Sequence, residues 1–173
     1  STVIGSSISS LINNDEINDI NNYRFINGDP LSGSKVEYSD YIGFYNNCLS
    51  VIEEGNNYRM LGWLPFMYNS VPSLSKTSFS WLLSGAKKVN TNLNGEERAI
   101  VVTGEMEKYF PMDIFPMQLI KACIRGDIEK MESLGIYEVV PEDFGLVDFS
   151  CTSKIEAQEI IKSGIQIMLK EVG

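Results

Sequence analysis

Histidine is absent from this chain of 173 residues, whose composition is otherwise ordinary for a globular protein. Its absence removes the commonest general base, the commonest zinc ligand and any catalytic triad that contains an imidazole. Apolar residues make up 43% of the chain and charged residues 21%, so a core can form without disulfide bonds or metal ions. The sequence therefore predicts a globular protein without the usual catalytic groups.

Cysteine is nearly as scarce, since Cys48, Cys123 and Cys151 lie far apart and form no C-x-x-C pair. Their odd number and the lack of a signal peptide lead us to expect free thiols in a reducing cytosol. Cys151 precedes a predicted helix, where a thiolate could be stabilised, but the sequence offers no nearby base. We therefore favour a buried structural thiol at all three positions.

Basic residues are also few, because 14 Lys and Arg face 23 Asp and Glu and leave a net charge of -9. Without a basic stripe to neutralise phosphates, we expect no nucleic-acid partner. No apolar run approaches the roughly 18 to 20 residues of a membrane span, so a role at a membrane would depend on a partner protein.

The patterns that are present predict an α+β protein. Residues 5–13 predict a short amphipathic helix after a serine N-cap. Residues 20–28 predict a strand with Tyr23 and Phe25 on one face. The stretch GDPLSG at 28–33 predicts a turn, because it lacks the lysine and the spacing of a phosphate-binding loop.

Further strand patterns follow. The apolar runs 49–52 and 58–63 flank a loop that contains Gly55, and together they predict a β-hairpin. Residues 67–95 mix short strand and helix patterns. The stretch NGEERAIVV at 94–102 predicts a turn that leads into a strand.

The chain becomes helical in character after Tyr109. Residues 117–124 have apolar side chains at helical spacing, and Gly126 ends that helix. Asp127 can cap a second short helix, which Gly135 stops.

The last helix has the clearest pattern of all. Pro141 suits the first position of the helix before it, and Ser153 with Glu156 predicts a capping box at its own start. Its apolar stripe consists of Ala157, Ile160, Ile161, Ile165, Met168, Leu169 and Val172.

Two stretches resemble the frame that surrounds iron–sulfur clusters in bacterial ferredoxins, C-x2-C-x2-C-x3-C-P. If the last ligand position is Phe110, before Pro111, the other three are Ile100, Thr103 and Met106. If it is Cys151, the other three are Pro141, Phe144 and Val147. One thiol among eight positions cannot hold a cluster, so we expect side chains to fill the cluster volume. Chance similarity between two loop–helix units is the alternative.

Two other groups of residues could form a site. Seven aromatic residues could line a pocket for a flat ring, although a sheet core is the favoured interpretation and a cleft beside them stays open. They are Tyr38, Tyr41, Phe44, Tyr45, Tyr58, Trp63 and Phe66. Four acidic pairs could bind metal, although helix caps and solvated charge are favoured. They are Asp15-Glu16, Glu53-Glu54, Glu96-Glu97 and Glu142-Asp143.

Several longer stretches carry a family resemblance, among them GFYNNCLSVIEEG at 43–55, PMDIFP at 111–116 and IKSGIQIMLKEVG at 161–173. Over most of residues 23–173 the chain resembles the A subunits of sodium-translocating NADH:quinone oxidoreductases. These are similar to the C subunit of the Rnf electron-transport complex, which carries two clusters. The resemblance implies a C-terminal part of such a protein, which kept the ferredoxin scaffold and lost the iron–sulfur cysteines.

For the fold, the resemblance implies three segments. Residues 1–66 would form a β-grasp-like module of the soluble-ligand-binding type, and residues 67–105 a mixed connecting segment. Residues 106–173 would form an α-helical domain like a two-cluster ferredoxin without its clusters.

For the function, the resemblance implies a peripheral subunit on the cytoplasmic face of the bacterial inner membrane. The complex oxidises NADH, reduces ubiquinone or menaquinone and pumps sodium, and this chain would dock on the membrane-embedded B subunit near the quinone step. We expect no catalytic, cofactor-binding or metal-binding residue in this chain, neither flavin nor iron–sulfur cluster. The alternatives are a small-ligand module that binds a quinone and, less favoured for want of a nucleophile–base pair, a freestanding enzyme.

Overall fold

The computed structural model describes residues 5–12, 19–56, 59–62, 64, 79–82, 89–101 and 103–172. The chain divides into two compact units, residues 1–94 and 95–173. A small sheet lies in the first, the sheet unit, and the second, the helical unit, consists of helices and loops. The α+β class is therefore confirmed, whereas the three predicted segments and the β-grasp and ferredoxin-like descriptions stay predictions.

The sheet has three antiparallel strands in the order β2-β1-β3. The strands are β1 (Tyr23–Asn27), β2 (Ser34–Val36) and β3 (Leu49–Glu53). Phe25 in the central strand stands opposite Val36 on one side and Val51 on the other. Phe25 and its neighbour Ile26 are both buried, so the two faces of β1 are both covered at its centre.

The predicted strand at 20–28 and the predicted turn at 28–33 are confirmed. Asp29 makes the turn, because its Oδ1 accepts hydrogen bonds from the backbone N–H groups of Leu31 (2.8 Å) and Ser32 (3.0 Å). The predicted first helix is also present as α1 (Ile8–Leu11). Ser7 stands at its N-cap, but the serine side chain makes no capping hydrogen bond.

The predicted hairpin between 49–52 and 58–63 is wrong. β3 forms, but it pairs with β1, and residues 59–62 contain a turn rather than a strand. A Cβ on Gly55 would collide with Asn92, and the Gly55 N–H donates to Thr91 Oγ1 at 2.7 Å. Gly55 is therefore needed for the close approach of residues 90–92 and not for a hairpin loop.

The helical unit begins with a segment that has no regular structure, so the predicted strand after residue 94 is wrong for the described residues 96–101. Hydrogen bonds to Ser153, in the loop before the last helix, hold this segment in place of strand pairing. The Arg98 N–H donates to the Ser153 carbonyl at 2.8 Å, and Ser153 Oγ donates to the Ala99 carbonyl at 3.1 Å.

The described residues of this unit contain five α-helices and two 3-10 turns. The helices are α2 (Met106–Tyr109), α3 (Pro116–Arg125), α4 (Ile128–Ser133), α5 (Gly145–Ser150) and α6 (Ala157–Val172), and the 3-10 turns are Ile136–Glu138 and Pro141–Phe144. As predicted, α3 ends at Gly126 in the left-handed conformation (φ 65°), and the Asp127 side chain caps α4 through the Lys130 N–H. Pro141 stands at the first position of its 3-10 turn, also as predicted.

The predicted capping box at the last helix is wrong, because α6 begins at Ala157 and Ser153 bonds to Ala99. The helix start is capped by Asp148, which lies in α5. Its carboxylate accepts the N–H of Ala157 at 2.5 Å and that of Gln158 at 3.3 Å. Burial raises the pKa of Asp148, against the effect of these hydrogen bonds.

One continuous core joins all five helices. Of the predicted α6 stripe, Ala157, Ile161 and Met168 are buried, whereas Leu169 is exposed. The core consists of Met106, Phe110, Met117, Leu119, Ile120, Ala122, Cys123, Met131, Ile136, Val139, Phe144, Val147, Cys151, Ile155, Ala157, Ile161 and Met168. Among the helices that the structure describes, none combines the length and the apolar character needed to cross a bilayer.

Candidate functional site

A groove in the sheet unit has room for a small ligand. Its cavity volume is about 200 Å³, and β1, β2 and the residues beside them line it. The lining residues are Ile20, Asn21, Tyr23, Phe25, Lys35, Val36, Glu37, Tyr38 and Glu54. Ligand pockets for drug-sized molecules start at about 300 Å³, so this groove suits a single ring and its substituents.

The floor of the groove is aromatic. Tyr38 packs against Phe25 with ring centroids 5.6 Å apart and an interplanar angle of 52°. Tyr23 lies on the same face of the sheet as Phe25, because the two are two residues apart in β1. Val36 lies on that face as well, because it is the partner of Phe25 in β2. The alternation of Tyr23 and Phe25 was the sequence signal for this floor, whereas nothing local in the sequence indicated Lys35 or Glu54.

The rim of the groove carries fixed charge. Arg24 Nε donates to Glu54 Oε2 at 2.9 Å, Arg24 Nη2 makes a second, short contact to Oε1, and Thr91 Oγ1 donates to the same oxygen at 3.1 Å. The hydrogen bond from Arg24 is the main reason that the pKa of Glu54 is lowered. Glu54 is therefore ionised at neutral pH, and Lys35 also belongs to the residues that line the groove.

The aromatic residues singled out in the sequence do not form one cluster. Tyr38 belongs to the groove, but Tyr41, Phe44 and Tyr45 are 66%, 72% and 95% exposed. For these three the predicted core position is wrong. Tyr58, Trp63 and Phe66 lie outside the described residues.

In the helical unit, the positions of the ferredoxin frame meet across the two stretches. The Phe110 and Phe144 rings pack with centroids 4.7 Å apart, and both side chains are buried. Thr103, Met106 and Cys151 line one crevice, whose cavity volume of about 10 Å³ is enough for about one water molecule. Thr103 and Met106 therefore lie beside Cys151, and Phe144 lies beside Phe110, so the two stretches cross in a way that the sequence analysis did not foresee.

The same crossing occurs in two-cluster ferredoxins, where the fourth cysteine of each motif ligates the other cluster. The residues of this chain do not fit a cluster, however. Where Phe110 meets Phe144, two rings are packed together and neither side chain carries a thiol. In the crevice beside Thr103 and Met106, Cys151 is the only thiol. No chemistry of an iron–sulfur cluster can be derived from these side chains.

The three cysteines have different surroundings. Cys123 and Cys151 are buried, as predicted, and burial raises the pKa of the Cys123 thiol to about 11. Cys48 is exposed, so the prediction of a buried thiol is wrong there. Cys151 directly follows α5 and lies six residues before the start of α6.

Two of the acidic pairs, Glu96-Glu97 and Glu142-Asp143, have the favoured roles of solvated charge and cap, whereas Glu54 forms an ion pair. Glu54 pairs with Arg24, and Asp143 Oδ2 accepts the Val140 N–H at 2.9 Å at the start of a 3-10 turn. Glu96 and Glu97 are exposed, and Asp15-Glu16 lies outside the described residues. Within the part of the chain that the structure describes, no three Cys, Asp or Glu residues are grouped as metal ligands.

Comparison with known proteins identifies relatives of the whole chain, although no model of a protein family matches it. The A subunit of the Na(+)-translocating NADH-quinone reductase of Neisseria meningitidis serogroup C is 35% identical over 175 residues, that of Pasteurella multocida 36% over 176 residues, and that of Haemophilus influenzae strain PittGG 34% over 171 residues. Each alignment covers 98% of this chain and 38% of the relative.

These identities confirm the resemblance that was noted in the sequence. The chain spans about two fifths of the length of the relatives, at 38%, which is consistent with the predicted C-terminal part. Over almost its entire length, therefore, this chain is homologous to part of the A subunit of the Na(+)-translocating NADH-quinone reductases.

Proposed function

We propose that the chain is a docking and scaffolding part of the A subunit in a sodium-pumping NADH:quinone oxidoreductase. It lies on the cytoplasmic face of the bacterial inner membrane and docks chiefly on the membrane-embedded B subunit. NADH oxidation and the redox cofactors belong to other subunits, and this part holds the complex together near the step that reduces quinone.

The observation that carries this proposal is the filled ferredoxin frame of the helical unit. Phe110 and Phe144 pack where two frame positions cross, and Met106, Val147 and Cys151 are buried in the same core. Packed apolar side chains in place of cluster ligands can stabilise such a domain, so its fold does not depend on an iron–sulfur cluster. This favours a ferredoxin-like domain with a structural rather than a redox role.

Reconstitution tests the docking role. The complex is purified in detergent, without its A subunit, from the bacterium that the chain comes from. The purified chain is then titrated onto this complex, and co-elution measures binding. We expect saturable binding of one chain per complex, with weaker binding to complex that also lacks its B subunit. No retention at concentrations well above micromolar would contradict the proposal.

Metal analysis tests the structural interpretation of the frame separately. We expect the purified chain to be colourless and free of stoichiometric iron after anaerobic reconstitution with iron and sulfide. Iron bound in a fixed ratio, with the visible absorption of a cluster, would overturn it.

A second candidate function is the binding of a quinone ring in the groove of the sheet unit. A quinone needs a flat apolar surface and donors for its carbonyl oxygens; the Phe25–Tyr38 pair supplies the surface, and Lys35 is among the residues that line the groove. The cavity of about 200 Å³ holds one ring but leaves an isoprenoid tail outside.

Titration with a water-soluble short-chain quinone, followed by amide NMR shifts, tests this candidate. We expect saturable shifts around Tyr23, Phe25 and Tyr38, and about tenfold weaker binding by Tyr38→Ala. Tyr41→Ala is the matched control, because Tyr41 is 66% exposed and does not line the groove. Unchanged shifts, or equal losses in both variants, would exclude this groove as the site.

A further inference from the structure

Two adjacent aromatic side chains in the loop of residues 41–46 stand out into solvent. Phe44 is 72% exposed and Tyr45 is 95% exposed. Their rings pack edge to face, with centroids 5.2 Å apart and an interplanar angle of 85°. Single exposed aromatics are ordinary on protein surfaces, but two rings that touch each other form an apolar patch of the kind found at interaction sites.

The loop that carries this aromatic pair is fastened to the sheet unit at several points. The Ile42 N–H donates to the Ser6 carbonyl at 3.1 Å, and the Gly43 N–H donates to Asn27 Oδ1 at 3.3 Å. The Asn46 N–H donates to the Gly43 carbonyl at 3.1 Å, which closes a tight turn around the two rings. The backbone is therefore held in place while the rings remain in water.

Gly43 shows how closely the loop approaches the sheet. A Cβ at this position would lie 2.8 Å from Asn27 Nδ2, so a larger residue would have to displace the Asn27 side chain or shift the loop. Asn27 is a buried polar residue at the end of that strand. A loop that hydrogen bonds hold against the sheet unit, and whose tip exposes two rings, is organised in advance for a contact.

The charge around the aromatic pair restricts what it can contact. Residues 28–48 contain the three acidic residues Asp29, Glu37 and Asp40 and the single basic residue Lys35. The whole chain has a net charge of -9. Acidic surroundings repel an anionic membrane surface and favour a protein surface that carries Lys and Arg.

We propose that the Phe44–Tyr45 pair is the anchor by which this chain docks on another subunit of its complex. The pair inserts into an apolar pocket of that partner, and Lys or Arg residues at the rim of the pocket face the acidic residues of the segment that precedes the loop, Asp29, Glu37 and Asp40. This inference rests on the proposed function and adds to it the surface and the chemistry of the partner.

Substitution of the pair within the complete chain tests the inference. The variants Phe44→Ser and Tyr45→Ser are titrated onto complex that lacks its A subunit. We expect each to bind at least about 30-fold more weakly than the unchanged chain, because buried aromatic anchors dominate the affinity of such contacts. Tyr45→Phe keeps the ring and should bind within about threefold of the unchanged chain.

The matched control is Tyr137→Ser, which removes a ring that is 60% exposed in the helical unit. It should leave the affinity unchanged, and the thermal unfolding of all variants should match that of the unchanged chain. Higher ionic strength should weaken binding of the unchanged chain, as expected for an acidic surface that meets a basic one.

The possible results separate this inference from the proposed function. If the unchanged chain does not bind the complex, the proposed function fails. If it binds and the two serine variants bind equally well, only the inference is overturned. The inference is also overturned if these substitutions instead abolish binding to vesicles of phosphatidylglycerol and phosphatidylcholine, or abolish dimerisation of the chain, while binding to the complex persists.

Discussion

The helical unit and the sheet unit differ in how they bury apolar side chains. In the helical unit, one core joins every helix and includes Phe144, Leu119 and Ile161, each fully buried. In the described residues of the sheet unit, the buried apolar side chains are Ile8, Phe25 and Ile26. The sheet unit therefore exposes an aromatic pair at its surface, where partners can reach it, and the helical unit packs its aromatic pair inside.

This difference separates stability from recognition. The rings of Phe110 and Phe144 pack together inside the helical core. The rings of Phe44 and Tyr45 pack against each other and are mostly exposed to solvent. Substitutions in the helical core should therefore lower the free energy of unfolding, and substitutions of Phe44 and Tyr45 should change binding alone.

The largest effect should follow Phe144→Ala, which removes a ring with no exposed surface. We expect the free energy of unfolding of the helical unit to fall by roughly 3–5 kcal/mol, because the substitution loses apolar burial and leaves a cavity. Chemical denaturation followed by circular dichroism measures this loss. Phe149→Ala is the control, because Phe149 is 46% exposed, and it should cost about 1 kcal/mol or less.

Hydrogen exchange on Phe144→Ala sharpens the comparison of the two units. Amides of residues 116–125 and 157–172 should lose protection, because α3 and α6 share the damaged core. If amides in β1 and β3 lost protection equally, the substitution would destabilise both units, and the two units would not differ in stability as expected.

The helical unit was more predictable from sequence because its signals are local. Gly126 and Asp127 end one helix and cap the next within a few residues, and both roles were visible in the sequence. The hairpin failed because the pairing of β3 with β1 depends on contacts between distant segments, which alternation of apolar residues does not specify. The capping box failed because Asp148 caps α6 from another helix.

The candidate sites were predicted less well than the helices. Tyr38 was among the expected pocket residues, but the groove also requires Lys35 and Glu54, which only the paired strands bring together. The exposed pair Phe44–Tyr45 was assigned to the core, because aromatic composition does not distinguish a core from a binding surface. The resemblance to a ferredoxin frame is a prediction from sequence, whereas the contact between Phe110 and Phe144 became visible only in three dimensions.

A smaller effect should follow Gly164→Ala, at the contact between α6 and α3. A Cβ on Gly164 would lie 2.5 Å from Cys123 Sγ and 3.1 Å from Cys123 Cβ. Such overpacking costs about 1–3 kcal/mol, and the better helix propensity of alanine offsets about 1 kcal/mol of it. Thermal denaturation should therefore show a net loss of up to about 2 kcal/mol.

Cys123→Ala tests the cause of that loss. In this background the sulfur atom is gone, so Gly164→Ala should cost less than it does in the unchanged chain. The double-mutant cycle measures the coupling between the two positions. If the cost is the same in both backgrounds, the close contact between α3 and α6 is not its cause.

The pH dependence of the helical unit should contain a contribution from Asp148. Burial raises its pKa above the ordinary value of 3.8, so the folded state holds this proton more tightly than the unfolded state does. The contribution of Asp148 to stability is therefore full below pH 3.8 and declines as pH rises through the raised pKa. Asp148→Asn should remove this decline, and denaturation of both proteins across that range measures it. Parallel stability curves would contradict the assignment.

The smallest effect should come from the sheet unit, where Arg24→Ala breaks the ion pair with Glu54. The side chains of Arg24 and Glu54 are 34% and 20% exposed, so solvent screens the ion pair. Its loss should lower the free energy of unfolding by about 1 kcal/mol or less. Because the pKa of Glu54 is lowered from 4.5, the pair stabilises the unit above that pH and ceases to do so as pH falls through the lowered pKa. The difference between Arg24→Ala and the unchanged chain should therefore vanish in acid and shrink at high salt. A loss as large as that of Phe144→Ala would mean that the sheet unit depends on a charged pair in the way that the helical unit depends on its core.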